Sequence, residues 1–312
     1  MTQVATTLAG RTATSGPRGR LRWRSRLTPY LFLAPALIAV GVFVVYPIAN
    51  VAVQSFFDVN PTKHEGWEFV GVQNYIEAFS DSAVWGVFLN SIIWTIGSVA
   101  LQLIVAMAGA LLLQQLVGGA RILRAVFVLP WATPVVVGAL AWKLLYQPDY
   151  GMINQLLSVV GLPELQHAWL ADPHTALAAV VAANVWRGFP FIMVLLIAGM
   201  ASIPGELYEA AGVDGATWSR SFRSITLPLL KPMLLTSTLM ALIWTFNNFS
   251  LIYVMTGGGP AGATDILTTF VYKSAFSSFD FGYASALSMI LFAIVGIGSA
   301  LYIRAFGKDA LS

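Results

Sequence analysis

The sequence predicts an all-α integral membrane protein that crosses the bilayer six times. Of its 312 residues, 57% are hydrophobic and 10% are charged, and the mean hydropathy is +0.75. Soluble domains carry about 25% charged residues, so this chain needs a bilayer around its apolar surface. It contains no cysteine, which excludes disulfides and thiolate metal sites.

Six apolar blocks each reach the roughly 20 residues that a helix needs to span the hydrocarbon core. Prolines inside three of them predict kinked helices, because a helix bundle satisfies the carbonyls that proline leaves free. Kinked helices that pack together favour a pathway over a simple anchor. The blocks are residues 30–57, 86–113, 121–146, 175–201, 233–256 and 282–306.

The connections between the blocks are alternately rich and poor in lysine and arginine, and this pattern sets the orientation by the positive-inside rule. Residues 1–29 form a basic tail with no acidic residue. The loop 202–232 is basic, whereas residues 147–174 contain neither lysine nor arginine. We therefore expect this loop and both termini, including the C-terminal tail 307–312, to be cytoplasmic. The clustering of basic residues at helix ends also argues against nucleic-acid binding, despite a net charge of +3.

Arg187 is the charged residue predicted near the middle of a membrane helix. It lies about twelve residues, or ~18 Å, into the fourth block. An arginine at that depth costs at least ~2.5–3.5 kcal/mol on insertion scales and usually faces a cavity or a partner. No acidic residue lies in another block. We therefore expect Arg187 to face a hydrated pathway, backbone carbonyls or a substrate.

The fifth block carries a polar cluster among aromatic rings, between Trp244 and Ser250. Amides and hydroxyls inside a membrane helix need hydrogen-bond partners. Two interpretations are open. The cluster makes interhelical hydrogen bonds, or its amides bind sugar hydroxyls while its rings stack on a pyranose face.

The sequence contains no motif for catalysis or energy conversion. The run Gly257-Gly258-Gly259-Pro260 lacks the lysine and the following helix of a phosphate-binding loop, so it predicts a turn. The histidines are too irregularly spaced for a metal site, and no membrane block holds a carboxylate for a proton relay. We predict no catalytic residue, no metal site and no cofactor in this chain, so the energy for active transport has to come from a partner.

The loop 202–232 carries a motif at fixed spacing: Glu209-Ala210-Ala211, Asp214-Gly215-Ala216, Phe222, Ile225, Leu227-Pro228 and Pro232. This motif resembles the EAA signature of permease subunits in binding-protein-dependent ABC importers. Residues 184–191 and 246–272 resemble the sugar-importing branch of that family, typified by the larger permease of the maltose importer. The resemblance covers about residues 25–306, and the chain is similar to the shorter permeases for disaccharides or glycerol phosphate.

The resemblance implies the type I ABC importer permease fold over residues 30–306, in the inner (plasma) membrane of a bacterium. It implies a heterodimer with a second permease, two subunits that bind and hydrolyse ATP with Mg, and an extracytoplasmic solute-binding protein or lipoprotein. The chain itself is then not an enzyme; it contacts lipid and translocates a sugar. Aromatic residues in the outer connections fit either an interfacial belt or a surface for the external partner.

By resemblance, the loop 202–232 contacts the ATPase. Pro204 and Gly205 suit the start of a short helix, and acidic residues near that start are favourable to its dipole. This coupling helix is expected in a cleft of the ATPase, where Glu209 pairs with a basic residue. The predicted coupling residues are Glu209, Ala210, Ala211, Asp214, Gly215 and Ala216.

The resemblance also implies a sugar pocket between the fourth and fifth blocks. Arg187 stands where the maltose permease has leucine, and Ala241 where it has serine. Trp244 replaces a phenylalanine and Thr245 an asparagine, so the place of the pocket is predicted while its sugar is not fixed as maltose. The predicted substrate-binding residues are Asn184, Arg187, Gly188, Phe191, Trp244, Thr245 and Asn248, with Ala241 beside them.

Among substrates, the sequence favours a disaccharide such as trehalose or a maltose-like sugar. Glycerol 3-phosphate is second, because Arg187 suits a phosphate. A proton-driven secondary transporter lacks support, since the chain has no inverted halves and no buried acid. A channel or membrane-anchored scaffold is a further alternative. Co-purification with an ATPase and substrate-stimulated ATP hydrolysis separate these classes.

Glu209→Lys is expected to abolish uptake while the protein remains in the membrane, because it reverses the charge that meets the ATPase. Uptake by membrane vesicles and the amount of protein in the membrane fraction test this. Normal uptake and normal coupling to ATP hydrolysis would refute it.

Overall fold

The computed structural model describes residues 30, 32–61, 66–115 and 120–310, and helices dominate it. The predicted basic tail 1–29 lies outside the described residues. One antiparallel ribbon pairs β1 (Phe57–Asp58) with β2 (Glu68–Phe69). The helices are α1 (Phe32–Gln54), α2 (Gln73–Ser80), α3 (Ser82–Gln115), α4 (Ala120–Ala132), α5 (Val135–Leu145), α6 (Met152–Val159), α7 (Ala176–Ala201), α8 (Gly205–Val213), α9 (Trp218–Phe246), α10 (Phe249–Met255), α11 (Leu267–Phe276) and α12 (Phe281–Ala310), with a 3₁₀ turn at Pro163–Leu165.

Among the described residues, five helices are long and apolar enough to cross a membrane: α1, α3, α7, α9 and α12. Helices α4 and α5 supply a sixth span, bent by 97°. Pro130 lies inside α4 and Pro134 precedes α5, and each removes a backbone N–H from the helical ladder. The predicted all-α membrane fold with up to six spans, including the kink in the third, is confirmed.

Contacts divide the chain into two units, residues 1–51 and 52–312. The first unit contains most of α1, an apolar helix of mean hydropathy 2.3 with a π-helical turn at Gly41–Val45. The second unit contains the remaining helices. The features that follow all belong to the second unit.

The core of the second unit forms where α3 and α7 pack along each other, with α9 beside them. Ala106 and Ala110 on α3 are fully buried against a cluster that includes Met193 and Leu196 of α7. Small residues at a membrane-helix interface let the backbones approach closely, which is the main source of attraction between such helices. Gly199 likewise allows α7 and α9 to approach closely, since a Cβ at this position would come within 2.8 Å of Leu230 Cδ2.

The fifth span differs from its predicted limits of 233–256. Helix α9 begins at Trp218 and ends at Phe246. It runs through Pro228 and Pro232 after a π-helical turn at Phe222–Thr226, a local adjustment of the kind that accommodates proline in helices. The polar character of residues 218–232 predicts a loop, and polarity alone does not distinguish a helix that leaves the bilayer from a loop.

An ion pair holds the segment between α10 and α11. Lys273 Nζ donates hydrogen bonds to both carboxylate oxygens of Asp265, at 2.8 and 2.7 Å, and Thr269 Oγ1 donates to the same carboxylate at 3.0 Å. Gly258 lies against this pair with φ +87°, and a Cβ on it would collide with Asp265 Oδ1. Leu267 N–H donates to Ser91 Oγ at 2.9 Å, which fastens the segment to α3.

Gly258→Ala is expected to destabilise the protein more than Gly262→Ala. Both glycines have positive φ, so both variants carry the strain of an L-residue there, but a Cβ at position 262 meets nothing nearer than 3.8 Å. The overlap at position 258 adds about 1–3 kcal/mol, because Lys273 and Thr269 restrain the carboxylate that would have to move. Thermal unfolding in detergent measures the difference, and equal unfolding temperatures would contradict it.

Candidate functional site

The fifth span is interrupted inside the predicted block 233–256. Helix α9 ends at Phe246 and α10 begins at Phe249. Asn248 caps α10, since its Oδ1 accepts a hydrogen bond from Leu251 N–H at 3.4 Å. Trp94 Nε1 donates to the Thr245 carbonyl at 2.8 Å from the opposite side. Non-helical backbone at membrane depth is tolerated only where protein buries it or where it lines a cavity.

A cavity of about 420 Å³ lies beside this interruption. All seven predicted substrate-binding residues line it, together with Ala241. On α7 they recur as 184, 187, 188 and 191, and on the fifth span as 241, 244, 245 and 248. This i, i+3, i+4, i+7 spacing places the α7 set on one helix face. Residues 241, 244 and 245 share a face of α9, and Asn248 reaches the cavity from the interruption itself. The remaining lining residues are Gln102, Trp131, Ile192 and Asn247.

The side-chain amides in the cavity have orientations that the backbone determines. Asn248 Oδ1 faces the Leu251 N–H, so its Nδ2 donates to Asn184 Oδ1, at 3.3 Å. Asn184 therefore directs Nδ2 elsewhere, and that atom is buried with no hydrogen-bond partner among the described residues. Arg187 Nε is also buried without a partner in this part of the chain. Both residues line the cavity, and these two donors are enclosed by protein beside it.

Three aromatic rings form the apolar part of the wall. The Phe191 ring lies 5.9 Å from the Trp131 ring at an interplanar angle of 28°, and 4.9 Å from the Trp244 ring at 58°. Trp244 is 50% exposed, so the cavity opens past its indole. Amides beside ring faces provide both hydrogen bonds and an apolar platform, which is the usual composition of a small-molecule site.

None of the four remaining lining residues is among the predicted substrate-binding residues, and three of them are polar or aromatic. Gln102 is 3% exposed and lies between leucines in the second block, which also contains Asn90; an amide in a membrane helix is a signal that the sequence does carry. Trp131 follows Pro130 in the kinked third span, and nothing in its local sequence distinguishes it from a lipid-facing tryptophan. Asn247 belongs to the polar cluster of the fifth block, but the resemblance assigns it no role.

The predicted coupling residues lie on α8 and its C-terminal cap, away from the cavity. Glu209 and Asp214 are exposed. Ala216 N–H donates to the Ala211 carbonyl at 2.8 Å, and Gly215 N–H donates to the Gly212 carbonyl at 3.0 Å, with Gly215 at φ +72°. This is a Schellman motif, which ends the helix and needs a left-handed residue at its glycine.

One hydrogen bond ties the exposed helix α8 to the fifth span. The Tyr208 hydroxyl lies 2.9 Å from Thr226 Oγ1 in the π-helical turn of α9. Val213 at the end of α8 is 90% exposed and Trp218 at the start of α9 is 62% exposed.

Residues 118–306 match the family of binding-protein-dependent transport system inner membrane components. The chain belongs to this family. It is therefore a multi-pass membrane subunit, the permease of an ABC importer, and it is not itself an enzyme. Such a permease works with ATPase subunits and a solute-binding protein, as the resemblance implied.

Two curated relatives cover nearly the whole chain. The trehalose/maltose transport system permease protein MalF of Thermococcus litoralis is 35% identical over 288 residues, which is 91% of this chain and 95% of that protein. The sulfoquinovosyl glycerol transport system permease protein SmoG of Agrobacterium fabrum is 34% identical over 279 residues, which is 89% of this chain and 90% of that protein. The predicted resemblance to sugar-transport permeases is confirmed.

A solved structure has the same fold. In the crystal structure of a bacterial alginate ABC transporter in complex with an alginate pentasaccharide-bound periplasmic protein, one chain matches with a TM-score of 0.80 and 18% identity. The match covers 94% of this chain and 99% of that one. At this identity the likeness shows the fold alone, and it confirms the predicted importer-permease fold.

Gly215→Val is expected to reduce uptake about tenfold or more, since a β-branched residue at positive φ costs at least ~1–2 kcal/mol and disrupts the cap of α8. Gly205→Val is the matched control, because Gly205 starts the same helix, has no positive φ and has no atom within 4 Å of the place that a Cβ would take. Reconstituted uptake measures both. Equal rates in the two variants would show that the cap is not required.

Proposed function

We propose that this chain forms half of the translocation path for a sugar and that the 420 Å³ cavity is its substrate site. The observation that supports this is the composition of one wall: amide groups, unpaired donors and three aromatic rings. Pockets of about 300–1,000 Å³ suit small molecules, and the lower part of that range suits one or two sugar rings. Asn184, Arg187 and Asn248 are the hydrogen-bonding residues of the site in this proposal.

The transported sugar in this proposal is a disaccharide such as trehalose or a maltose-like sugar. The Thermococcus relative is named for trehalose and maltose, and the Agrobacterium relative for a sugar glyceride. The aromatic rings of the cavity support a pyranose, because the apolar face of the ring packs on an indole or phenyl while its hydroxyls reach the amides. Gly188 has no Cβ, which leaves room for the Gln102 amide against α7.

The second half of the path is proposed to come from a different permease. Trp244 and Asn247 line the cavity and are exposed, so a neighbouring chain is needed to close that side. A heterodimer would enclose the sugar that an external solute-binding protein delivers. The loop with α8 and both termini would then face the cytoplasm, as the positive-inside rule predicts.

The coupling in this proposal runs through α8 and α9. Two partner subunits bind ATP and Mg and move α8, with Glu209 at the contact, while this chain holds no cofactor. Helix α9 is continuous from Trp218 to Phe246, and its far end forms part of the cavity wall. A displacement at α8 therefore reaches the substrate site through one rigid helix, and access alternates between the two sides.

Glycerol 3-phosphate is the second candidate. Arg187 lines the cavity, and none of the residues that line it is acidic. A guanidinium without a carboxylate partner in a low-dielectric site favours an anionic ligand. Uptake of labelled glycerol 3-phosphate, compared with uptake of labelled disaccharides, distinguishes this candidate from the first.

Asn248→Ala is expected to lower the maximal rate of sugar uptake about tenfold, because it removes both the cap of α10 and the hydrogen bond to Asn184. Asn248→Ser separates these roles, since serine also caps helices but has no amide to reach Asn184. If the amide serves the site, the serine variant keeps its thermal stability and loses uptake. Unchanged transport in both variants would remove Asn248 from the site.

A further inference from the structure

We infer that Gln102 is a further specificity-determining residue of the transport site: its Oε1 accepts a hydrogen bond from one hydroxyl group of the sugar. This inference rests on the proposed function and adds a residue from a third helix. Gln102 belongs to α3, is 3% exposed and lines the same cavity as Asn184, Arg187 and Gly188.

The orientation of the Gln102 amide follows from its partner. Nε2 donates to the backbone carbonyl of Asn184 at 3.1 Å, and a carbonyl accepts hydrogen bonds only, so the nitrogen has to face it. The opposite atom, Oε1, then receives no hydrogen bond from the described residues. Unlike Asn184 Nδ2, this oxygen is not fully enclosed by protein, so a ligand or water in the cavity can supply the missing donor.

Gly188 holds this amide in place. A Cβ at position 188 would collide with Nε2 and Cδ of Gln102 and would lie 2.9 Å from Oε1, so only glycine lets the side chain lie against α7. The amide is therefore confined between the α7 backbone and the cavity. A polar group with so little freedom loses little entropy when it binds a ligand, which favours selectivity.

The acceptor at Gln102 complements the donors on α7. Asn184 and Arg187 line the same wall, and Asn184 Nδ2 and Arg187 Nε are enclosed beside it without partners among the described residues. A sugar hydroxyl both donates and accepts, so two neighbouring hydroxyls match the set, one donating to Gln102 and the other accepting from α7. A site of paired donors and acceptors discriminates strongly against an analogue that lacks one hydroxyl, because a buried group is then left unsatisfied.

The test combines a variant with deoxy analogues of the transported disaccharide. The full transporter is reconstituted with its ATPase subunits, and each sugar is supplied at a concentration that saturates the solute-binding protein. Uptake rates then report the permease. In the natural protein, one monodeoxy analogue is expected to move about tenfold more slowly than the parent sugar. In Gln102→Met, which keeps the length of the side chain without the amide, that analogue and the parent are expected to move at equal rates.

Two further variants make the result decisive. Gly188→Ala displaces the amide without removing it and is expected to lose discrimination for the same analogue. Gln114→Met changes an exposed glutamine on the same helix and is expected to keep the discrimination of the natural protein. If Gln102→Met slows all sugars by one common factor, or discriminates as the natural protein does, Gln102 does not contact the sugar and the inference is overturned. If the natural protein transports no sugar, the proposed function itself fails.

Discussion

The requirement that backbone polar groups inside a membrane be satisfied shapes the centre of this protein. The fifth span breaks at Asn247 and Asn248, which frees N–H and carbonyl groups at membrane depth. Asn248 satisfies one by capping α10, and its own N–H donates to the Thr245 carbonyl at 3.1 Å, which also accepts from Trp94 Nε1. The same capping bond orients the Asn248 amide, which in turn orients Asn184. The polar wall of the cavity thus results from the hydrogen bonds that cap the interrupted helix.

This break also connects the cavity to the exposed end of the chain. Helix α9 begins beside α8, is held to it through Tyr208 and Thr226, and ends at the cavity wall. The interruption lies at the point where a rigid helix meets the substrate site, and beyond it α10 leads into the segment that Asp265 and Lys273 hold. Under the proposed function, a movement of α8 alters the cavity and leaves the opposite end anchored.

Hydropathy and motifs account for most of what sequence reasoning reached. The membrane fold follows from the apolar blocks and the family from the motif at Glu209, while the predicted substrate residues follow from the resemblance to sugar-importing permeases. Residues that enter from other helices were missed. Gln102 is one amide among apolar neighbours, and its relation to Gly188 is a contact between helices that neither segment encodes alone. The limits of α9 were missed because Pro228 and Pro232 resemble loop residues, while a π-helical turn absorbs them.

The sequence by itself determined that the chain spans a membrane, which family it belongs to, and that Arg187 and a polar cluster lie inside the fourth and fifth spans, because hydropathy and motif spacing are local properties. Only the tertiary structure decided that these residues line one cavity with α3 and α4, which amide atoms remain unpaired beside it, and where the fifth span breaks. The reason is that hydrogen-bond partners and close approaches, such as Gln102 against Gly188, depend on how separate helices pack. That packing cannot be inferred from the sequence of one helix alone.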